Sequence, residues 1–173
     1  MIYLTFLLYL FLPQSQTLTD SRDGQQYQVV TINNLQWTAE NLRYRSPQAV
    51  NWPVGAEDDC ESCGLFYPVE EAFGVCPDGW RLPTEAEVKA LIKMDRKGKL
   101  NLTDTLHIQL CGRHDNGEYG RFGTQNTFWI DAELKDGYIT HWHLFGEKHE
   151  LHNHNVVNAR RKFPVRCVCE LDE

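Results

Sequence analysis

The sequence predicts an α+β domain, with two short helices early and a run of antiparallel strands late. Three observations carry that expectation. Thr84 and Glu87 form a Thr-x-x-Glu capping box that opens an apolar helical face. Asn116-Gly117 and Asp136-Gly137 are hairpin-turn pairs in the second half of the chain. Around those turns, "NTFWIDAEL", "YITHWHLF", "HELHNHNVV" and "FPVRCVCE" each alternate in part between apolar and polar residues.

In chain order, the first segment is set apart from the fold. Ile2 to Leu12 is apolar except for Thr5 and is followed by Pro13 and Ser15. It is shorter than the roughly 20 residues a bilayer span needs, and it has the length of a signal-peptide core. No Lys or Arg precedes it, which departs from the usual signal pattern. The expected organisation is a signal peptide over 1–16 and one domain over 17–173, with no stable membrane span once the signal is removed. An N-terminal strand or helix buried in the domain is the alternative.

After a polar stretch, "YQVVTI" and "LQWTAEN" read as strands joined by the turn pair Asn33-Asn34. Residues 45–62 are rich in Pro and Asp and lack a period, hence a loop. "YPVEEAF" suits a short helix opening after Pro68. The second helix starts at the capping box and carries Val88, Leu91 and Ile92 on one face. It should end near Lys97-Gly98. Trp80 is expected to pack beneath it, while Arg81 has no assigned partner.

Composition bounds the function. The 173 residues carry 24 acidic against 17 basic side chains, a net charge of −7, so no basic footprint for nucleic acid appears. Five Trp, seven Tyr and eight Phe argue against disorder. The six cysteines stand at 60, 63, 76, 111, 167 and 169, and an even number in an exported chain reads first as three disulfides. Cys60-x-x-Cys63 alone also suits a redox pair or half a zinc site. Zinc would want a second such pair or two histidines at ligand spacing, and Cys167-x-Cys169 has one residue too few between its thiols.

The strings "DGQQYQVVTINNLQWTAENLRY", "CGLFYPVEEA", "CPDGWRLPTEAE" and the terminal "PVRCV" resemble, in that order, the Fibrobacter succinogenes major paralogous domain. This bacterial exported family is of largely unassigned function, and the likeness covers roughly residues 19 to 170. "RLPTEAE" is also similar to a string in formylglycine-generating enzymes. The resemblance implies a compact, disulfide-stapled C-type-lectin-like domain with its termini close together. It departs at "FWIDAE", where the family has a Trp-rich strand, at Val88, where a Trp commonly stands, and at "KFPVRC". The resemblance also implies a Cys76–Cys167 disulfide and a local Cys60–Cys63 pair. Subtraction then leaves Cys111 with Cys169.

Five of the seven histidines lie between 141 and 154. On two strands, His141 with His143 and His152 with His154 would each share a face, offering three or four imidazoles to Zn or Cu. The plainer reading is a polar outer sheet face with Trp142 and Leu144 packed inward, and on it no metal or other cofactor is assigned. Calcium-dependent sugar binding lacks the tripeptides of true C-type lectins. The acidic run Glu57-Asp58-Asp59 with Glu61 reads as a solvated loop. No nucleophile, base and orienting group stand out, so no catalytic residue is assigned.

The expected function is therefore an exported, non-catalytic binding domain of the bacterial cell envelope or extracellular space. Its partner is an extracellular polymer, polysaccharide or surface protein. The contact surface is expected on the long loop region and the strands from Tyr119 to His154, with Trp142 and His143 as candidates. A formylglycine-generating-type oxidase and a purely structural envelope component are the alternatives. Trp80, Arg81, Thr84 and Glu87 are read as structural.

Overall fold

A computed structural model describes residues 16–51 and 60–171. The apolar segment and the acidic residues 57–59 fall outside these, although Gln16 already belongs to the first strand. The elements run β1 (Gln16–Thr19), β2 (Gln26–Ile32), β3 (Leu35–Thr38) and β4 (Val50–Asn51), then a 3-10 turn at Cys60–Cys63 and β5 (Leu65–Pro68). Next come α1 (Val69–Ala72), α2 (Glu85–Arg96) and α3 (Leu102–Thr105). The remainder is strand: β6 (Arg113–Asp115), β7 (Glu118–Gly120), β8 (Gln125–Phe128), β9 (Tyr138–Phe145), β10 (Lys148–Asn155), β11 (Lys162–Phe163) and β12 (Val168–Glu170).

These strands make three antiparallel sheets, ordered β1-β2-β3-β12, β10-β9-β8 and β4-β5-β11-β6-β7. This corrects the expected α+β, C-type-lectin-like class: the described chain is β-rich. Of the helices only α2, with 12 residues, has any length, while α1 and α3 are single turns of four. "VEEA" has a proline to start it but too few residues to outlast the cost of helix nucleation.

The local signals act where the residues place them. Asn33 and Asn34 both take positive φ, 52° and 61°, in a two-residue turn that pairs Ile32 with Leu35. Thr84 Oγ1 accepts from the Glu87 amide, and the Glu87 carboxylate accepts from the Thr84 amide at 2.7 Å. Arg81, unassigned from sequence, donates to both Glu87 oxygens at 2.9 and 2.7 Å and to Glu170 at 2.6 Å. The cap is thereby tied to β12. Gly98, at φ 64°, ends the helix.

Val88, Leu91 and Ile92 bury α2 against Trp37, Phe128, Trp142 and Val168, joining the first two sheets. Burying each such aliphatic side chain is worth roughly 1.5–3 kcal/mol. A second cluster gathers Tyr27, Tyr67, Trp129, Phe163 and Val165 around Cys167. Trp80 packs against this second cluster and not beneath α2, because Gly79 (φ 79°) turns the chain before the helix begins.

Two disulfides are described. Cys76–Cys167 spans 91 residues as expected, but Cys63 bonds Cys111 across 48 residues. The Cys60–Cys63 and Cys111–Cys169 pairings are corrected accordingly. The Cys60–Cys63 turn aims Cys63 inward, fully buried beside Phe66. Gly112 lets the chain pass Cys111, since a side chain there would stand 2.2 Å from the Gly120 carbonyl.

The segment from Phe163 to Glu170 stitches these parts together. Leu42 donates to the Val165 carbonyl and Thr38 to that of Cys167, while Val168 exchanges backbone bonds with Arg81. Pro164 falls just after β11, and its carbonyl accepts from Trp129. Arg166 is completely buried with no carboxylate at hydrogen-bond distance. Its guanidinium donates to Asn41 Oδ1 (2.6 Å) and to the carbonyls of Leu106 (2.6 Å) and Thr38 (3.2 Å). Burial lowers its pKa to about 9, which leaves it charged at neutral pH.

Arg166→Leu should lower unfolding free energy by about 2–4 kcal/mol in urea melts, since it strands two or more buried acceptors. Arg166→Lys should recover only part of that, because an ammonium lacks the planar fork of donors. Stability of Arg166→Leu within 0.5 kcal/mol of the parent would contradict the role.

Candidate functional site

Alternation on β9 separates two faces. Trp142 and Leu144 face α2 and are wholly buried, as the plainer sequence reading expects. Trp142 is thus corrected as a contact residue: at 0% exposure it cannot meet a partner. Its indole donates to His149 Nδ1 at 3.2 Å. His149 Nε2 then carries the proton and lies 3.1 Å from Thr103 Oγ1. His149 is therefore a core histidine, separate from the other four.

The opposite face brings His141, His143, His152 and His154 together. Register sets His152 directly across from His141, with His154 one diagonal away. Ring centroids are 4.7 Å apart for His143 and His152, 5.1 Å for His141 and His154, and 5.6 Å for His152 and His154. This is no simple polar outer face. His141 is 2% exposed and packs its ring on Phe163, whereas His143 and His152 are half-buried and His154 is exposed.

The hydrogen bonds define the tautomers. His141 Nδ1 lies 3.4 Å from the Ile139 carbonyl, an acceptor, so that nitrogen holds the proton. Nε2 of His141 then accepts from His154 Nδ1 at 3.3 Å. His152 Nε2 donates to the Glu150 carboxylate at 3.1 Å, leaving its Nδ1 as a lone pair. Desolvation is the main cause pushing His141 down to about 3 and His143 to about 4, and neighbouring imidazoles add to it. Lys148 and His152 hold Glu150 well below the usual carboxylate range, at about 2. Arg113 and Arg161 border the cluster, each paired with Asp115 at 2.6 and 3.4 Å. Among the described residues no three His, Cys, Asp or Glu side chains already converge as a metal-ligand set.

A second feature lies along the outer edge of the same sheet, and the sequence reading missed it. Lys89, Ile92, Lys93 and Arg96 of α2, with Lys97 at its C-terminal cap, face Glu150 and Leu151 of β10 across a groove of about 590 Å³. The cations recur at i, i+4, i+7 and i+8, one stripe of the helix. That spacing was legible; the strand it faces was not. Glu85 ties back Lys89 at 2.5 Å, and Arg96 donates to the His149 carbonyl at 3.3 Å. Lys93 is exposed, as is Lys97 just past the helix end.

No family model, curated protein or solved structure matches this chain.

The neutral imidazoles predict acid sensitivity. A group whose folded pKa is depressed leaves the unfolded state holding more protons below its ordinary value, near 6.5 for histidine. Stability should therefore fall as pH drops from about 6.5 towards 4, with a limiting slope of about 1.4 kcal/mol per pH unit for each fully neutral imidazole. Urea melts at pH 7, 6 and 5 with chelator present should show this loss, and a shallower one in His141→Asn. Equal slopes in parent and variant would contradict it.

Proposed function

We propose that the chain is an exported, non-catalytic binding domain, and that its ligand is an anionic extracellular polysaccharide seated in the groove between α2 and β10. The observation that carries the reading is the lining of that groove: four cations against one carboxylate, Glu150, beside two apolar side chains, on a chain whose net charge is −7. Concentrating positive charge on one helix face of an acidic protein favours a carboxylated or sulfated polymer. The half-buried Leu151 suits the face of a sugar ring.

Export is supported by the apolar leader and by the two disulfides, which persist in oxidising compartments. No described helix is long and apolar enough to cross a membrane. An oxidase of the formylglycine-generating type would use late cysteines as thiols, whereas Cys167 is consumed by its bond to Cys76.

The test is binding of the purified protein to polygalacturonate, heparin and a neutral glucan, each at 50 and 200 mM salt. The parent should bind the two anionic polymers, more weakly at high salt, and not the glucan. Lys93→Glu with Lys97→Glu should weaken binding at least tenfold while leaving the melting temperature unchanged. Equal binding by parent and variant, or binding only to a protein surface, would overturn the assignment.

A further inference from the structure

We propose that the histidine face of β9 and β10 is a binding site for a divalent late transition-metal ion of the zinc, nickel and copper class. His141 Nε2 and His154 Nδ1 are its first two ligands and His152 Nδ1 the third. This site is independent of the polysaccharide groove.

The geometry points to it in three ways. The two ligating nitrogens stand 3.3 Å apart. Two nitrogens bound tetrahedrally at about 2.0–2.1 Å are separated by roughly 3.3–3.4 Å. The pair is already spaced to share one ion.

Next, the nitrogens not assigned to the metal are held from behind. His141 Nδ1–H is directed to the Ile139 carbonyl, and His152 Nε2–H to the Glu150 carboxylate. Metal-bound histidines almost always give their second nitrogen to a carbonyl or carboxylate, which orients the ring and raises its basicity. Here two of the three rings have that support.

Finally, binding needs one tautomer change and one side-chain rotation. His141 Nε2 is already a lone pair. His154, an exposed residue, must move its proton from Nδ1 to Nε2, a tautomer change with no net proton released. His152, with its ring 5.6 Å from that of His154, must swing inward to close the set. The site is a two-nitrogen seat that a third arm completes by moving, since among the described residues no three such side chains converge on one point. Glu150 and Asp115 stand beside the site, each already paired with cations: Glu150 with Lys148, Asp115 with Arg113 and Arg161. Cysteine is not needed, since the ligands are all imidazoles, which suit these ions.

The experiment is titration of the disulfide-intact protein with Zn²⁺, Ni²⁺ and Cu²⁺ by calorimetry, with electron paramagnetic resonance of the copper form. The parent should bind one equivalent with a dissociation constant below 10 μM (~7 kcal/mol), and the copper spectrum should show nitrogen hyperfine structure. His154→Ala, at an exposed position, should weaken binding at least tenfold without lowering the melting temperature, and His152→Gln should do likewise. His107→Asn, at an exposed histidine outside the cluster, should leave affinity unchanged. The proposal is overturned by absent binding, by unchanged affinity in His154→Ala, by loss in His107→Asn, or by a sulfur-to-copper charge-transfer band. None of these results depends on whether the groove binds polysaccharide.

Discussion

The buried guanidinium of Arg166 is the constraint around which the molecule is arranged. A positive charge removed from water needs acceptors on several sides, and here three of them come from two separate pieces of chain. Thr38 ends β3, Asn41 follows it, and Leu106 closes α3. The rigid fork of one side chain thus decides where the first hairpin and the α3 turn stand relative to the last segment. Its neighbour Cys167 adds a covalent link to Cys76, just upstream of the capping box. Hydrogen-bond geometry and disulfide geometry converge on two adjacent residues.

From this node the order of the parts follows. The last segment lies beside β3, so β12 completes the first sheet, and Arg81 bonds to its far side. Arg81 in turn grips Glu87, so α2 starts at a defined height above β12. The helix then runs with Val88, Leu91 and Ile92 against Trp142 and Phe128, which places the second sheet. The groove and the histidine face both belong to that sheet, at the end of this chain of dependencies.

Much of the local structure was legible from sequence because its causes are local. The Asn33-Asn34 turn, the capping box and the Gly98 stop each depend on a few neighbouring residues. The Cys76–Cys167 link was legible only through resemblance. What escaped needs partners distant in the chain. β1 is polar and becomes a strand only because β2 offers it an edge, pairing Gln16 with Val29. Cys63 finds Cys111 across 48 residues, which no local rule states. The histidine alternation was visible, and so was the inward direction of Trp142. The burial of His141 was not, because it depends on Phe163 arriving from another sheet. The balance of strand over helix was misjudged for the same reason, since capping signals mark where helices start and not how far they run.

β10 is the outermost strand of its sheet, and an open strand edge invites pairing with a second molecule. Three features of this edge discourage that. Charged Lys148 and Glu150 lie along it, α2 runs beside it, and Arg96 occupies the His149 carbonyl that a pairing strand would use. The cations that line the groove therefore also guard this strand edge. Stripping charge from this helix face to abolish ligand affinity would at the same time uncover a template for self-assembly, so recognition and solubility draw on the same few side chains.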